Sequence, residues 1–298
     1  MNTRATNVTP HARLRTRPEF TLAQLKQARK RIDSHVVSLT APDSYEAEQY
    51  RKLRYVLEQL HGAGDGIGLV AGVTSPAPGD GKSLTALNLA GALAQDMGAR
   101  ILLVDADLRR QSSSLRERLA LANGSSPGLV DAILNPELNL QKVVRRIAPL
   151  NLSFVLTGSA TATPYEMLSS PRVGMLLDEA RRDYDYVIVD APPVVPVSDC
   201  RVLAKRVDGF LMVIAAHQTP RGMLAESLDM LGPEKIIGIV YNGGKELLTR
   251  EYGYGYHGYG RPARHSSSTR DSWLQETESL FGWKRRASQQ KPAGSPDA

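Results

Sequence analysis

The sequence predicts a doubly wound α/β fold on a mostly parallel sheet, and three observations carry that prediction. Short apolar runs alternate with helical stretches from Ile67 to about Asn242. Runs such as Ile101-Leu102-Leu103-Val104 are apolar at every position, as strands covered by helices on both faces must be. A glycine-bearing turn joins one such run to a helix of small residues that opens at Lys82.

Residues 1–41 are polar, basic and weakly patterned, so the expectation is a disordered segment with a short helix around Leu22–Ile32. The first firm helix runs from Tyr45 to about His61. Asp43 is placed to cap it, Glu46 to answer at the third position, and Tyr50, Leu53, Leu57 and Leu60 form its apolar stripe. Strands are expected at Ile67–Val73, Ile101–Val104, Leu152–Leu156, Tyr186–Val189, Phe210–Ala215 and Ile236–Val240. Helices are expected at Lys82–Met97, Gly128–Leu134, Pro171–Asp183 and Arg221–Leu231. Proline at the first helical position loses nothing, which makes Ser170-Pro171 a good helix start. Beyond Asn242 the composition turns to Gly, Tyr, Ser, Arg and Gln. The division is therefore a basic leading segment (1–41), an α/β domain (42–245) and a tail (246–298).

Composition narrows the function classes. Across 298 residues, 42% apolar and 23% charged residues are those of an ordinary globular protein. A single cysteine, Cys200, excludes an intramolecular disulfide and a cysteine-rich metal or iron–sulfur site. No run approaches the ~18 apolar residues of a membrane span, and Met1 to Arg17 lacks the apolar core of a secretory signal. The expected location is the cytoplasm, peripheral at the inner face of the cell membrane. The formal charge of +6 is crowded into the two ends of the chain. Basic tails serve solubility first and an anionic membrane surface next, and no specific nucleic acid is expected.

The chemistry is concentrated in three segments. The first apolar run enters Thr74-Ser75-Pro76-Ala77-Pro78-Gly79-Asp80-Gly81-Lys82-Ser83. Gly79 and Gly81 let the backbone curl into a nest of N–H groups for phosphate oxygens, and the following helix adds its positive end. Lys82 is placed to reach the β- and γ-phosphates, and the Ser83 hydroxyl to bind magnesium. The second run ends in Asp105-Ala106-Asp107-Leu108-Arg109 and another in Asp190-Ala191-Pro192-Pro193. Ligands of an open α/β sheet bind beyond the carboxyl ends of its strands, so a phosphate loop and three carboxylates meet on one rim. This is a P-loop nucleotide site with deviant Walker motifs: Pro76 stands where the consensus has glycine. ATP and Mg2+ are the expected cofactors. The nucleotide set is Gly79, Asp80, Gly81, Lys82, Ser83 and Leu84, with Asn242 reading the base or making an ordinary turn. Ser83, Asp107 and Asp190 are the magnesium set. Lys82, Asp105 and Asp107 are the catalytic set, with Asp105 as the base. Arg109 pairs with phosphate or with a neighbouring carboxylate.

Tyr252, Tyr254, Tyr256 and Tyr259 alternate with glycines in the tail. Glycine weakens strands, so a flexible segment presenting several phenols fits better than a strand. With these residues in view, the chain from about Pro42 to Gly260 resembles the bacterial tyrosine kinases (BY-kinases) of polysaccharide export. Ser75–Ser83 match Walker A, Val104–Arg109 Walker A′ and Val187–Pro193 Walker B. Glu48, Arg51 and Arg54 are similar to the family's Glu-x-x-Arg-x-x-Arg assembly motif, and Pro164-Tyr165-Glu166-Met167-Leu168 to its Pro-x-Glu-Leu-Leu segment. The resemblance implies autophosphorylation of the four tail tyrosines in trans within a ring-like homo-oligomer. It also implies a membrane-embedded polysaccharide chain-length regulator as partner. The competing expectation is a ParA/MinD-like ATPase acting as a spatial or assembly switch, which hydrolyses ATP without labelling tyrosine; Ala77, in place of that relative's signature lysine, counts against it. Past the tyrosines, Trp273, Leu274, Leu280 and Phe281, followed by Lys284-Arg285-Arg286, have the spacing of a short amphipathic helix.

Overall fold

The computed structural model describes residues 22–62, 66–109, 114–121, 126–147 and 150–244. Among the described residues three helices come first: α1 (Leu22–Arg31), α2 (Val37–Thr40) and α3 (Tyr45–Gly62). There follow β1 (Leu69–Thr74), α4 (Lys82–Leu93), β2 (Ile101–Asp105), α5 (Ser114–Arg118), α6 (Leu129–Leu134) and α7 (Leu140–Val143). Next come β3 (Arg145–Ile147), β4 (Leu152–Val155), α8 (Pro164–Ser169), α9 (Pro171–Asp183) and β5 (Tyr186–Asp190). Then come α10 (Asp199–Leu203), β6 (Gly209–Ala215), α11 (Arg221–Leu231) and β7 (Ile236–Asn242).

Seven strands form one sheet in the order β3-β4-β2-β5-β1-β6-β7. All neighbours run parallel except β3 and β4. The alternation of side chains along a strand splits the core in two. Val70, Leu102, Val104, Val187 and Val189 face one way, onto α6, α7, α9 and α10. Ala71, Val73, Leu103, Ile188 and Val213 face the other, onto α2, α3 and α4. That is why the strand runs are apolar throughout. The β5–β6 connection carries the chain across β1 to its far side, so β1 lies inside the sheet with β5 and β6 beside it.

The sequence expectations fail at identifiable places. The leading segment is not disordered through residue 41: Ile32, Val36 and Leu39 are buried against α4, where Gly91 leaves room for Leu39. Asn88 grips this segment from both sides, accepting from the Ser38 N–H and donating to the His35 carbonyl, each at 3.0 Å. The helix α1 lies where the short helix was expected. Ser44, not Asp43, caps α3, its hydroxyl accepting from the Ala47 N–H at 3.1 Å. Leu60 is exposed, because the buried side of α3 passes through Ala47 and Leu57 instead. Helix α4 stops at Leu93, short of Met97. The strand β3 was not anticipated, since Arg145-Arg146-Ile147 shows no apolar run; it is an antiparallel edge whose arginines meet solvent. At α9 the Ser170 hydroxyl accepts from the Arg172 N–H at 3.2 Å, as the Ser-Pro start implied.

Candidate functional site

The register of the sheet builds the site. Asp190 stands opposite Val73 on one side and Asp105 on the other, so β1, β5 and β2 end at the same level. Where β1 ends, the chain turns through Gly79 (φ 94°) and Gly81 (φ 98°), both in the left-handed region that side chains disfavour. A Cβ on Gly81 would also lie 2.0 Å from Asn242 Nδ2. Helix α4 opens immediately after, with its N-terminal amides at the loop.

Side chains converge there. Lys82 Nζ lies 2.6 Å from Asp107 Oδ2, 3.6 Å from Asp190 Oδ1 and 3.4 Å from Ser83 Oγ. Asp105, Asp107 and Asp190 are only 3%, 4% and 1% exposed. Burying carboxylates costs several kcal/mol each unless cations or donors meet them. A stretch of sheet rim that buries three of them, two within 3.6 Å of one ammonium, is therefore suited to a charged ligand. The donor set also fits magnesium: a hydroxyl and two carboxylates, all hard oxygens, lie within reach of one ammonium position. Among the described residues no three His, Cys, Asp or Glu side chains form a closed metal cage. An incomplete cage is what magnesium uses when waters and substrate phosphates complete its shell.

The remaining expected residues divide by role. The Asp80 carboxylate braces the loop, accepting from the Ala77 N–H at 3.0 Å and from the Thr219 hydroxyl at 2.7 Å. Asn242 donates to the Asp80 carbonyl at 2.9 Å, which ties the end of β7 to the loop. Leu84 is half-buried in the first turn of α4. Arg109 takes the carboxylate alternative: its Nε and Nη2 donate to Asp199 at 2.7 and 2.9 Å. Neither Asp199 nor Thr219 was anticipated. Ser198-Asp199 reads from sequence as an ordinary helix start, and nothing local signals that Asp199 is buried. The Cys200 thiol is pushed up to about 12 by burial, which outweighs the opposing effect of its contact with the Thr74 hydroxyl, so it supplies no thiolate at neutral pH.

On α3, Arg51 pairs with Glu48 and donates to the Pro42 carbonyl at 2.6 Å. Arg54 donates to Glu58 at 2.5 Å and to the Ala92 carbonyl of α4 at 3.2 Å. Within one chain Glu48 and Arg51 thus make the intrahelical ion pair that spacing alone allows. Tyr252, Tyr254, Tyr256 and Tyr259, and the spacing at Trp273–Phe281, lie outside the described residues. No helix among the described residues is long and apolar enough to cross a membrane.

Comparison with known proteins agrees with this geometry. Residues 73–219 match the family model described as AAA domain. The chain is 32% identical over 257 residues to the tyrosine-protein kinase YwqD of Bacillus subtilis, covering 86% of this chain and 100% of that protein. It is 29% identical to the succinoglycan biosynthesis transport protein ExoP of Rhizobium meliloti, over 69% of this chain and only 26% of that one. Among solved structures, the kinase domain of the Escherichia coli tyrosine kinase ETK superposes with a TM-score of 0.64 at 25% identity, covering 76% of this chain and 84% of that one. A phosphate loop, a lysine among strand-end aspartates and end-to-end similarity to YwqD point the same way: the chain belongs to the bacterial tyrosine kinase family.

Proposed function

We propose that the chain is an ATP-dependent protein-tyrosine autokinase that phosphorylates its own Tyr252, Tyr254, Tyr256 and Tyr259 and regulates assembly or export of a polysaccharide. The observation that carries this is the meeting of Lys82, Ser83, Asp107 and Asp190 within 3.6 Å of one ammonium, on the rim where β1 gives way to the phosphate loop. Bound ATP and Mg2+ would supply the transferable phosphoryl group and neutralise the charge that develops on it. The amides of Gly79 to Ser83 and the N-terminus of α4 bind phosphate oxygens. Lys82 orients them as a fixed cation, and Ser83, Asp107 and Asp190 hold the metal shell. Asp105 accepts the phenolic proton of the attacking tyrosine.

Transfer in trans places the acceptor tail of one subunit at the site of another, in a ring-like homo-oligomer joined through Glu48, Arg51 and Arg54. ExoP, by its name, serves succinoglycan transport. That supports a membrane-embedded chain-length regulator as the partner here, with the chain peripheral at the inner membrane face and its basic ends on anionic lipid. Labelled ATP with magnesium tests the reading. The wild-type protein labels its tail; Lys82→Met lowers the labelling about 10²- to 10³-fold, the scale for removing one preorganised charge-stabilising donor. A protein with all four tail tyrosines changed to Phe is not labelled. ATP turnover with no phosphotyrosine overturns the proposal in favour of a ParA/MinD-like switch.

A further inference from the structure

We infer that Asp199 is a positioning residue of the transfer site, acting through Arg109 to fix the loop that carries Asp107. The inference rests on the kinase reading above and deepens it. Two loops bring carboxylates to the rim, residues 105–109 after β2 and residues 190–199 after β5. They are joined twice. At the base the Ala106 N–H donates to the Asp190 carbonyl at 2.9 Å. At the outer end Arg109 clasps Asp199 with two nearly parallel hydrogen bonds of 2.7 and 2.9 Å. Asp107 lies between the two joints, 2.6 Å from Lys82.

The clasp is one-sided in exposure: the Asp199 side chain is 0% exposed and that of Arg109 41%. Asp199 is the fixed end because it is held in the core, and Arg109 reaches it from the surface, supplying the cation that a carboxylate so buried requires. The pairing hydrogen bond raises the Arg109 pKa although desolvation opposes it. Asp199 is itself fixed from the centre of the sheet. Its neighbour Cys200 donates to the Pro192 carbonyl at 2.8 Å, and Thr74, at the end of β1, donates to the same carbonyl at 2.7 Å. Leu108 anchors the 105–109 backbone in the core. What the clasp adds is the orientation of the outer turn, and with it the direction in which Asp107 presents its oxygens. A planar, bidentate guanidinium is suited to that task in a way a lysine is not.

The test uses the full chain with Asp199→Asn, Arg109→Gln and the double variant. Outer partners of metal-binding groups cost about 10- to 100-fold in metal affinity when removed. The expected result is therefore a rise of that size in the magnesium concentration that half-saturates labelling. Calorimetry with a non-hydrolysable ATP analogue supplies a readout free of turnover: affinity in EDTA unchanged, the gain on adding magnesium reduced. The double variant is no worse than either single one, because both break the same clasp. Magnesium dependence equal to that of the wild type, in any variant that folds, overturns the inference and leaves the pair a stabilising contact only. If Asp199→Asn does not fold, Arg109→Gln, changed at the exposed partner, decides the matter alone. Should the wild-type protein itself show no magnesium-dependent uptake of the analogue, it is the kinase reading that fails.

Discussion

The two rims of the sheet use the same residue types to opposite ends. At the carboxyl rim, Asp107, Asp190 and Asp199 meet Lys82 and Arg109, with the acids nearly or wholly buried. At the amino rim, Asp185 meets Arg100 and Asp208 meets Arg181, with side chains between 22% and 52% exposed. The exposed aspartates are also backbone fasteners. Asp185 accepts from the Arg100 N–H at 2.7 Å, and Asp208 from the Val70 N–H at 2.8 Å, so each staples a strand start to its neighbour. Solvated pairs of this kind hold structure at small cost. Buried acids crowded around one lysine are an inefficient way to hold structure, and their location says that a ligand is meant to share them.

Breaking the carboxyl rim should have the largest effect. Gly81→Ala places a methyl on Asn242 and forces an alanine to φ near 98°. Strain of about 1–3 kcal/mol is expected from the backbone alone, so calorimetric affinity for ATP should fall about tenfold or more. Unchanged affinity would mean the loop relaxes freely, and the contrast between a rigid ligand rim and a stapled structural rim would weaken.

At the amino rim, Asp185→Asn should touch stability and not catalysis. Burial pushes the Asp185 carboxyl up, but the Arg100 hydrogen bonds and charge outweigh it and hold the pKa below the ordinary carboxylate value. A depressed folded pKa gives stability that is present above the unfolded value of about 4 and lost as pH falls through the folded one. At pH 7 the variant should melt about 2–4 °C lower, the equivalent of about 1 kcal/mol. The gap should close as the pH falls below 4, with labelling unaltered at neutral pH. A gap that persists undiminished in acid would show that the staple works through shape and not charge.

The smallest effect belongs to an intrahelical pair that is largely solvated. Glu48→Gln should cost the monomer about 0.2–0.5 kcal/mol, barely a detectable change in melting. Arg54→Gln should cost more, because Arg54 also fastens α3 to the end of α4. Light scattering then separates assembly from folding: Glu48→Gln should shrink the particle without lowering its melting temperature. A particle of unaltered mass would remove Glu48 from the subunit contact.

Much of the carboxyl rim was legible in the sequence, because an apolar run ending in Gly-Asp-Gly-Lys-Ser or Asp-Ala-Asp places its chemistry by register alone. The α/β alternation was equally plain, since both faces of the sheet are covered. Features that depend on distant partners were not. Asp199 acquires its role only because Arg109, ninety positions away, folds over it. The strand β3 carries no hydrophobic pattern, because its arginines face water at a sheet edge. Ile32, Val36 and Leu39 keep a helical spacing, but the run is too short, and too broken by Asp33-Ser34-His35, to mark a buried element among the basic residues before it.

Those three residues have a practical consequence. They and Ser38 roof the helix that grows out of the phosphate loop, with the Gln95 amide donating to the Ser38 carbonyl at 3.0 Å at its far end. A trimmed protein starting at Pro42, where the family likeness begins, would therefore strip the weatherproofing from α4 and open its Asn88 and Gly91 face to water. A fragment meant to keep that cover should start no later than Ile32.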